Sequence, residues 1–184
     1  NPLCGRNFEY YSEDPFLAGI TGAAMVQGIQ SNKVSACVKH FAVNNKETNR
    51  YYSDSRMSER ALREIYLRGF ERCVRQGGAK GIMTSYNKIN GIYTALDYNL
   101  QTNVLRNEWG FDGIVMTDWF ATGHDESLDE LGCKAGTDLI MPGTPMIPSK
   151  IRKALKKGQI TKEDIERSAR RIIKLALESH TSKN

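Results

Sequence analysis

Short apolar runs alternate along the chain with longer stretches of helical periodicity, and this alternation limits the folds that the chain can adopt. We predict a buried strand at each of four apolar runs: 35–38, 81–85, 113–117 and 138–141. Segments with apolar residues at helical spacing follow each run. Strands that alternate with helices indicate a parallel sheet covered by helices on both faces. The sequence therefore predicts an α/β fold.

Capping residues place the starts of the predicted helices. Asp14 is followed by proline, which suits the first helical position, and Ser58 precedes a long apolar stripe. Asp97 and Thr161 begin two further helices, and another helix is predicted near 124–135. The remaining question is how the sheet closes. A (β/α)8 barrel needs eight strands and about 250 residues. An open doubly wound sheet therefore suits 184 residues better. However, neither of the nucleotide-binding motifs GxGxxG and GxxxxGK[ST] follows a predicted strand.

Polar side chains of several types follow the predicted strands. They are Arg6, Lys39, His40, Arg50, Tyr86, Asp118 and Trp119. Active sites of α/β proteins form where parallel strands end. Asp118 alone could equally be the cap of the next helix, but polar residues at successive strand ends favour a shared site.

The residue types at these strand ends narrow the chemistry. Three histidines without HxH or HExxH spacing, beside several cations, argue against a metal site, and no GxSxG motif is present. We therefore predict no metal or other cofactor. What remains is a carboxylate beside hydrogen-bond donors and an aromatic wall. Sugars require such a site, because donors bind hydroxyls, an aromatic face covers the ring, and a carboxylate faces the anomeric carbon.

Charge and cysteine patterns bear on partners and compartment. The net charge is +5, and many basic residues lie between 150 and 174. They alternate with an apolar stripe, which favours a solvated helix face over a nucleic-acid surface. No apolar run is long enough to span a membrane. The four cysteines are far apart, which favours free thiols and thereby a reducing, cytoplasmic compartment.

Several ordered segments resemble the signature segments of glycoside hydrolase family 3, and of its β-glucosidases in particular. They are NPLCGRNFEYYSEDP at 1–15, VKHFAVNNKETNR at 38–50, MTSYNKING at 83–91, VMTDW at 115–119 and AGTDLIMPG at 135–143. The resemblance covers nearly the whole chain. It implies that residues 1–184 form an incomplete N-terminal (β/α)8 TIM-like barrel domain whose first strands are missing.

The resemblance also implies roles for individual residues. Asp118 would be the nucleophile of a retaining mechanism. Arg6, Lys39 and His40 would hold ring hydroxyls of the sugar. Arg50 and Tyr86 would lie near the nucleophile and aim it. Trp119 would line the subsite wall.

Each of these assignments has a structural alternative. Arg6 and Arg50 could brace loops by pairing with Glu9, Glu13 or Glu47. His40 and Tyr86 could be satisfied core residues. We assign Met83 and Trp109 to packing, although Met83 could touch the sugar, and we assign His124 a structural role.

The function implied is that of an exo-acting retaining β-glucosidase that removes terminal β-D-glucosyl residues from β-glucosides and cello-oligosaccharides. Alternatives are a β-xylosidase or other exo-glycosidase of the family, and a non-catalytic carbohydrate-binding remnant. Family β-glucosidases take their acid/base glutamate from a C-terminal sandwich domain, which we expect to be absent from residues 1–184. We therefore expect the isolated chain to be nearly inactive, with the missing strands and acid/base domain supplied by the rest of the parent protein or another chain.

Overall fold

The computed structural model describes residues 1–124 and 128–179. Its strands are β1 Cys37–Phe41, β2 Asp54–Ser55, β3 Gly81–Thr84, β4 Lys88–Ile89, β5 Ile92–Tyr93 and β6 Ile114–Met116. Its α-helices are α1 Pro15–Gln30, α2 Glu59–Ala61, α3 Arg68–Arg75, α4 Gly132–Ala135, α5 Ile147–Lys156 and α6 Lys162–Glu178. Wider π-helical turns at Leu62–Tyr66 and Asn99–Glu108, and 3-10 turns at Asn7–Glu9, Thr94–Leu96 and Asp129–Leu131, complete the helical segments.

The main sheet is parallel and has the strand order β1-β3-β6. Ile82 of β3 pairs with Val115 of β6, so these two strands lie side by side although β4 and β5 come between them in the chain. A small second sheet joins β2 to β4 and β5. The prediction of an α/β fold with a parallel sheet is confirmed, while the described residues form no closed barrel.

The predicted strand at 138–141 is wrong, because only Leu139 forms a bridge to the sheet, with Met116. The Asp138 carboxylate accepts the Val115 backbone N–H at 2.9 Å, a donor that an adjoining strand would normally bind through a backbone carbonyl. Pro142 then brings a residue without an N–H. A side chain thus takes over part of the ladder here.

The two faces of the main sheet differ in their surroundings. Ile82 and Val115 are fully buried and pack with Leu105 in the main hydrophobic core. Met83 and Met116 lie on the opposite face and are only partly buried. Side chains alternate between the two faces along a strand. Met83 and Met116 therefore point away from the main hydrophobic core, towards the less buried face of the sheet.

Local capping follows the sequence closely. Asp14 accepts the backbone N–H groups of Phe16 and Leu17 at 2.7 and 2.8 Å. Ser58 caps α2, and Thr161 forms a capping box that begins α6. The predicted helix near 124–135 is shorter than expected: a 3-10 turn and α4 cover 129–135, and 125–127 lie outside the described residues.

All four cysteines are free thiols, and Cys37 is exposed. None of the helices in the described ranges combines the length and apolar character required to cross a bilayer. Close packing of α1 on α3 depends on Gly22, where an added Cβ would lie 2.8 Å from the Cys73 sulfur.

Candidate active site

Asp118 follows β6 directly and presents a largely buried carboxylate. Only 8% of the residue is exposed. Its Oδ1 accepts the Trp119 backbone N–H at 2.7 Å, and its Oδ2 lies 3.4 Å from His40 Nε2. No helix begins within residues 119–124, so Asp118 does not cap the next helix. The carboxylate is instead held in one orientation at the end of the sheet.

His40 lies at the end of β1 and is 3% exposed. Its Nδ1 is 3.3 Å from the Tyr10 hydroxyl, and its Nε2 faces Asp118. Burial, and then the nearby Arg6 cation, lower the pKa of His40 to about 4, despite the opposing effect of Asp118. The imidazole is therefore neutral at neutral pH, with one N–H and one lone pair.

Glu9 holds two of the predicted sugar-binding cations. Its carboxylate accepts Arg6 Nε and Nη2 at 2.7 and 3.0 Å, and it lies 2.9 Å from Lys39 Nζ. The hydrogen bond from Arg6 is the main reason why the pKa of Glu9 falls to about 2, with Lys39 adding to the effect. A fully ionised Glu9 thus fixes both cations near the strand ends.

Glu47 plays the same part for the third cation. It accepts Arg50 Nη1 at 2.9 Å and lies 3.6 Å from Arg6 Nη1. Ion pairing and proximity to the site therefore coexist: Arg6 pairs with both glutamates, yet it remains near enough to Asp118 to feel its charge. The pairing with glutamate that the sequence suggested is thus present for both arginines, and contact with a sugar stays a prediction.

Tyr86 links Arg50 to the loop that follows Asp118. Its hydroxyl donates to the Trp119 carbonyl at 2.9 Å, and the Arg50 guanidinium lies 3.9 Å from the centre of its ring, a cation–π distance. Burial, followed by the charge of Asp118, raises the pKa of Tyr86. The phenol consequently keeps its proton and remains a hydrogen-bond donor beside the carboxylate.

Of the remaining predicted residues, Trp119 and Met83 are at least partly accessible, and Trp109 and His124 make packing contacts. Trp119 is 53% exposed, which leaves its indole face accessible beside Asp118, while Met83 is partly buried on the open face of the sheet. Trp109 packs edge-on against Phe41 in the core, as predicted. His124 contacts the Tyr51 ring. No group of three potential metal ligands occurs within the described ranges.

Sequence reasoning missed Tyr10 and Tyr51. Tyr10 reaches His40 across a separation of 30 residues, and Tyr51 packs edge-on against Tyr86. Neither contact follows a helical or strand spacing, so no pattern in the sequence pointed to it. Glu9 and Glu47 were foreseeable, because each lies three residues from the arginine that it binds.

Most of the chain matches one known protein family. Residues 1–175 match the family described as glycosyl hydrolase family 3 N terminal domain. The chain belongs to this family. The family resemblance seen in the signature segments is thereby confirmed.

Several family 3 proteins are similar to this chain along most of its length. A β-glucosidase of Ruminococcus albus is 44% identical over 98% of the chain, and an exo-alpha-(1->6)-L-arabinopyranosidase of Bifidobacterium longum is 48% identical over 95% of it. The structure of β-glucosidase 3B from Thermotoga neapolitana in complex with glucose superposes with a TM-score of 0.93 and 47% identity, covering 100% of this chain and 26% of that one. The chain spans 20% and 22% of the length of the two curated relatives.

Proposed function

We propose that this chain forms part of a retaining, exo-acting β-glucosidase of family 3, with Asp118 as its nucleophile. The observation that carries the proposal is the buried Asp118 carboxylate at the end of β6, surrounded by hydrogen-bond donors. The carboxylate attacks the anomeric carbon, the bond to the leaving group breaks, and water later hydrolyses the glycosyl-aspartate. The substrates proposed are β-glucosides and short cello-oligosaccharides.

The surrounding side chains supply binding and alignment in this proposal. Arg6 and Lys39 bind ring hydroxyls through donors that Glu9 holds in place. The Nε2–H of His40, which faces Asp118, is shared with the ring hydroxyl beside that carboxylate. Because Glu9 fixes the two cations before a sugar arrives, less conformational entropy is lost on binding. Glucose in the Thermotoga neapolitana structure supports a sugar as the ligand of this domain.

Four further residues complete the proposed sugar site. Arg50 and Tyr86 align the nucleophile loop through the ring contact and the bond to the Trp119 carbonyl. The exposed indole of Trp119 covers one face of the sugar. Met83 contributes an apolar surface at the floor, where its side chain is partly accessible.

A general acid is not available from the carboxylates that bind the site's cations. Glu9 has a pKa of about 2 and would have lost its proton at neutral pH, and Glu47 binds Arg50. We propose that the acid/base glutamate belongs to a C-terminal sandwich domain, and that further strands complete a (β/α)8 barrel, both supplied by the rest of the protein or by another chain. Without an acid we expect residues 1–184 alone to turn over substrates about 10² to 10⁴ times more slowly.

Another exo-glycosidase of the family is the second candidate, because the Bifidobacterium longum relative is named an arabinopyranosidase. Aryl glycosides of glucose, xylose and arabinopyranose that share one leaving group would separate these possibilities. The largest kcat/KM identifies the sugar. A non-catalytic binding remnant would bind glucose without turnover, and Asp118→Ala would leave its binding intact.

A fluorosugar trap on the native protein that carries this chain tests the nucleophile. We expect the label on the peptide containing Asp118 and no labelling of Asp118→Asn. Asp112→Asn is the matched control, because Asp112 precedes the same strand at its other end and pairs with Lys80 and Lys174. A label on another carboxylate in the wild-type protein would remove Asp118 from its proposed role.

A further inference from the structure

We propose that Tyr10 is a positioning residue for the nucleophile: its hydroxyl fixes the tautomer of His40 so that the Nε2–H of the imidazole faces Asp118. The chain of contacts runs from the Tyr10 hydroxyl through both ring nitrogens to the carboxylate. The inference rests on the proposed function of Asp118, because an aligned carboxylate matters only if that carboxylate reacts.

The distances place His40 between the two groups. The Tyr10 hydroxyl is 3.3 Å from Nδ1, and Asp118 Oδ2 is 3.4 Å from Nε2. A neutral imidazole carries its proton on one nitrogen and a lone pair on the other. Since His40 is almost fully buried, water has little access to either nitrogen, and these two neighbours decide which one is protonated.

A phenol hydroxyl can either donate to an imidazole nitrogen or accept from it, so the contact between Tyr10 and Nδ1 by itself fits both tautomers. When the Tyr10 proton points at Nδ1, that nitrogen offers its lone pair, and the ring proton lies on Nε2.

The Asp118 side of the ring favours this tautomer. With the proton on Nδ1, the Nε2 lone pair would face a carboxylate oxygen at 3.4 Å, and the two would repel each other. With the proton on Nε2, the N–H attracts that oxygen, while the Trp119 N–H holds the other one. Both carboxylate oxygens are then fixed, so the plane of the nucleophile is set before a sugar binds.

Burial and the charged groups around His40 leave its ring uncharged, so only the position of its single proton varies between the ring nitrogens. Arg6 and Lys39 disfavour the imidazolium, Asp118 and Glu9 favour it, and burial outweighs them all. At neutral pH the ring is therefore neutral. Tyr10 itself holds its proton, because the ordinary pKa of a phenol is about 10 and partial desolvation raises that of Tyr10 to about 12, so it can donate at neutral pH.

Nitrogen-15 NMR of histidine-labelled native protein tests the inference, with the His40 signal assigned by its loss in His40→Gln. We expect His40 of the wild-type protein to show a lone pair on Nδ1 and a proton on Nε2. In Tyr10→Phe, which keeps the ring, Asp118 alone still favours Nε2–H, but Nδ1 loses its donor, and we expect the Nδ1–H tautomer to appear beside it. Tyr11→Phe is the matched control, because Tyr11 is the adjacent exposed tyrosine, whereas the hydroxyl that lies 3.3 Å from His40 Nδ1 is that of Tyr10.

Trapping kinetics provide the second readout. With an activated fluorosugar, whose leaving group needs no acid, we expect the saturating rate constant for trapping to fall about three- to tenfold in Tyr10→Phe, the range that one hydrogen bond supplies. The concentration for half-saturation should change less, and Tyr11→Phe should match the wild-type protein in both values.

The outcomes separate this inference from the proposed function. A single Nε2–H tautomer retained in Tyr10→Phe, or a proton on Nδ1 in the wild-type protein, would overturn the role of Tyr10, even if trapping slowed. Unchanged trapping in Tyr10→Phe would do the same. Failure of the wild-type protein to be labelled at Asp118 would instead refute the proposed nucleophile, and the NMR comparison would still show whether Tyr10 sets the tautomer.

Discussion

Replacing Glu9 with glutamine removes the charge that holds two cations in the candidate site. The Glu9 carboxylate binds Arg6 through two hydrogen bonds and Lys39 through an ion pair. Glutamine has nearly the same shape but no negative charge, so it cannot offset the repulsion between the two cations. We expect Glu9→Gln both to destabilise the fold and to loosen the two cations that we propose bind the sugar.

The pKa of Glu9 sets the size of the effect. Its value falls from 4.5 to about 2 in the folded chain, a difference that corresponds to about 3.4 kcal/mol at neutral pH. The side chain is 20% exposed, and water screens the pair, so we expect Glu9→Gln to lower the free energy of unfolding by about 1–2 kcal/mol. Because the folded pKa is depressed, this stabilisation is fully present above about pH 4.5 and disappears as the pH falls towards 2.

Urea denaturation of the wild-type chain and Glu9→Gln at several pH values between about 7 and 3 measures the difference. Glu166→Gln is the control, because Glu166 makes two exposed ion pairs, with Lys162 and Arg170, and we expect a much smaller change. A stability difference between the wild-type chain and Glu9→Gln that stays constant down to about pH 3 would refute the electrostatic reasoning. So would an equal loss in Glu166→Gln.

Three further substitutions test the scaffold by denaturation. Asp138→Asn leaves Arg106 buried without its charged partner, and we expect a loss of about 3–5 kcal/mol; a loss below 1 kcal/mol would contradict this. Ile82→Ala opens a cavity at a fully buried position and should cost about 2–5 kcal/mol, whereas a neutral result would show that the sheet does not pack there as described. Asp14→Ala removes the cap of α1 and should cost about 0.5–2 kcal/mol, with Asp14→Asn as the milder control.

The local elements were largely predictable because their signals are local. Asp14 and Thr161 cap helices through backbone N–H groups two or three residues away, so the sequence contains both partners. The apolar run at 113–117 predicted β6 for the same reason. The run at 138–141 misled, because the structure uses Asp138 as a buried acceptor for Val115 and Arg106, and apolar periodicity carries no information about such a partner.

The candidate site likewise contains some contacts that the sequence could predict and others that it could not. Asp118, His40 and Tyr86 could be expected near one another because parallel strands end at one edge of a sheet. Their individual roles remain proposals. The contact between Tyr10 and His40 could not be predicted, because it joins a loop to a strand end across 30 residues and depends on how the first loop folds over β1.

The sequence by itself determined the alternation of strands and helices, the helix starts, the polar residues at the strand ends and membership of glycoside hydrolase family 3. These follow from hydrophobic periodicity, capping chemistry and ordered motifs, all of which depend on residues near each other in the chain. Only the tertiary structure decided that Glu9 and Glu47 bind the site's cations while Arg6 still lies near enough to Asp118 to feel its charge. It also decided that His40 is neutral, since burial and the charges of distant segments set its pKa. Electrostatic states depend on distances in space, and the chain acquires those distances only when it folds.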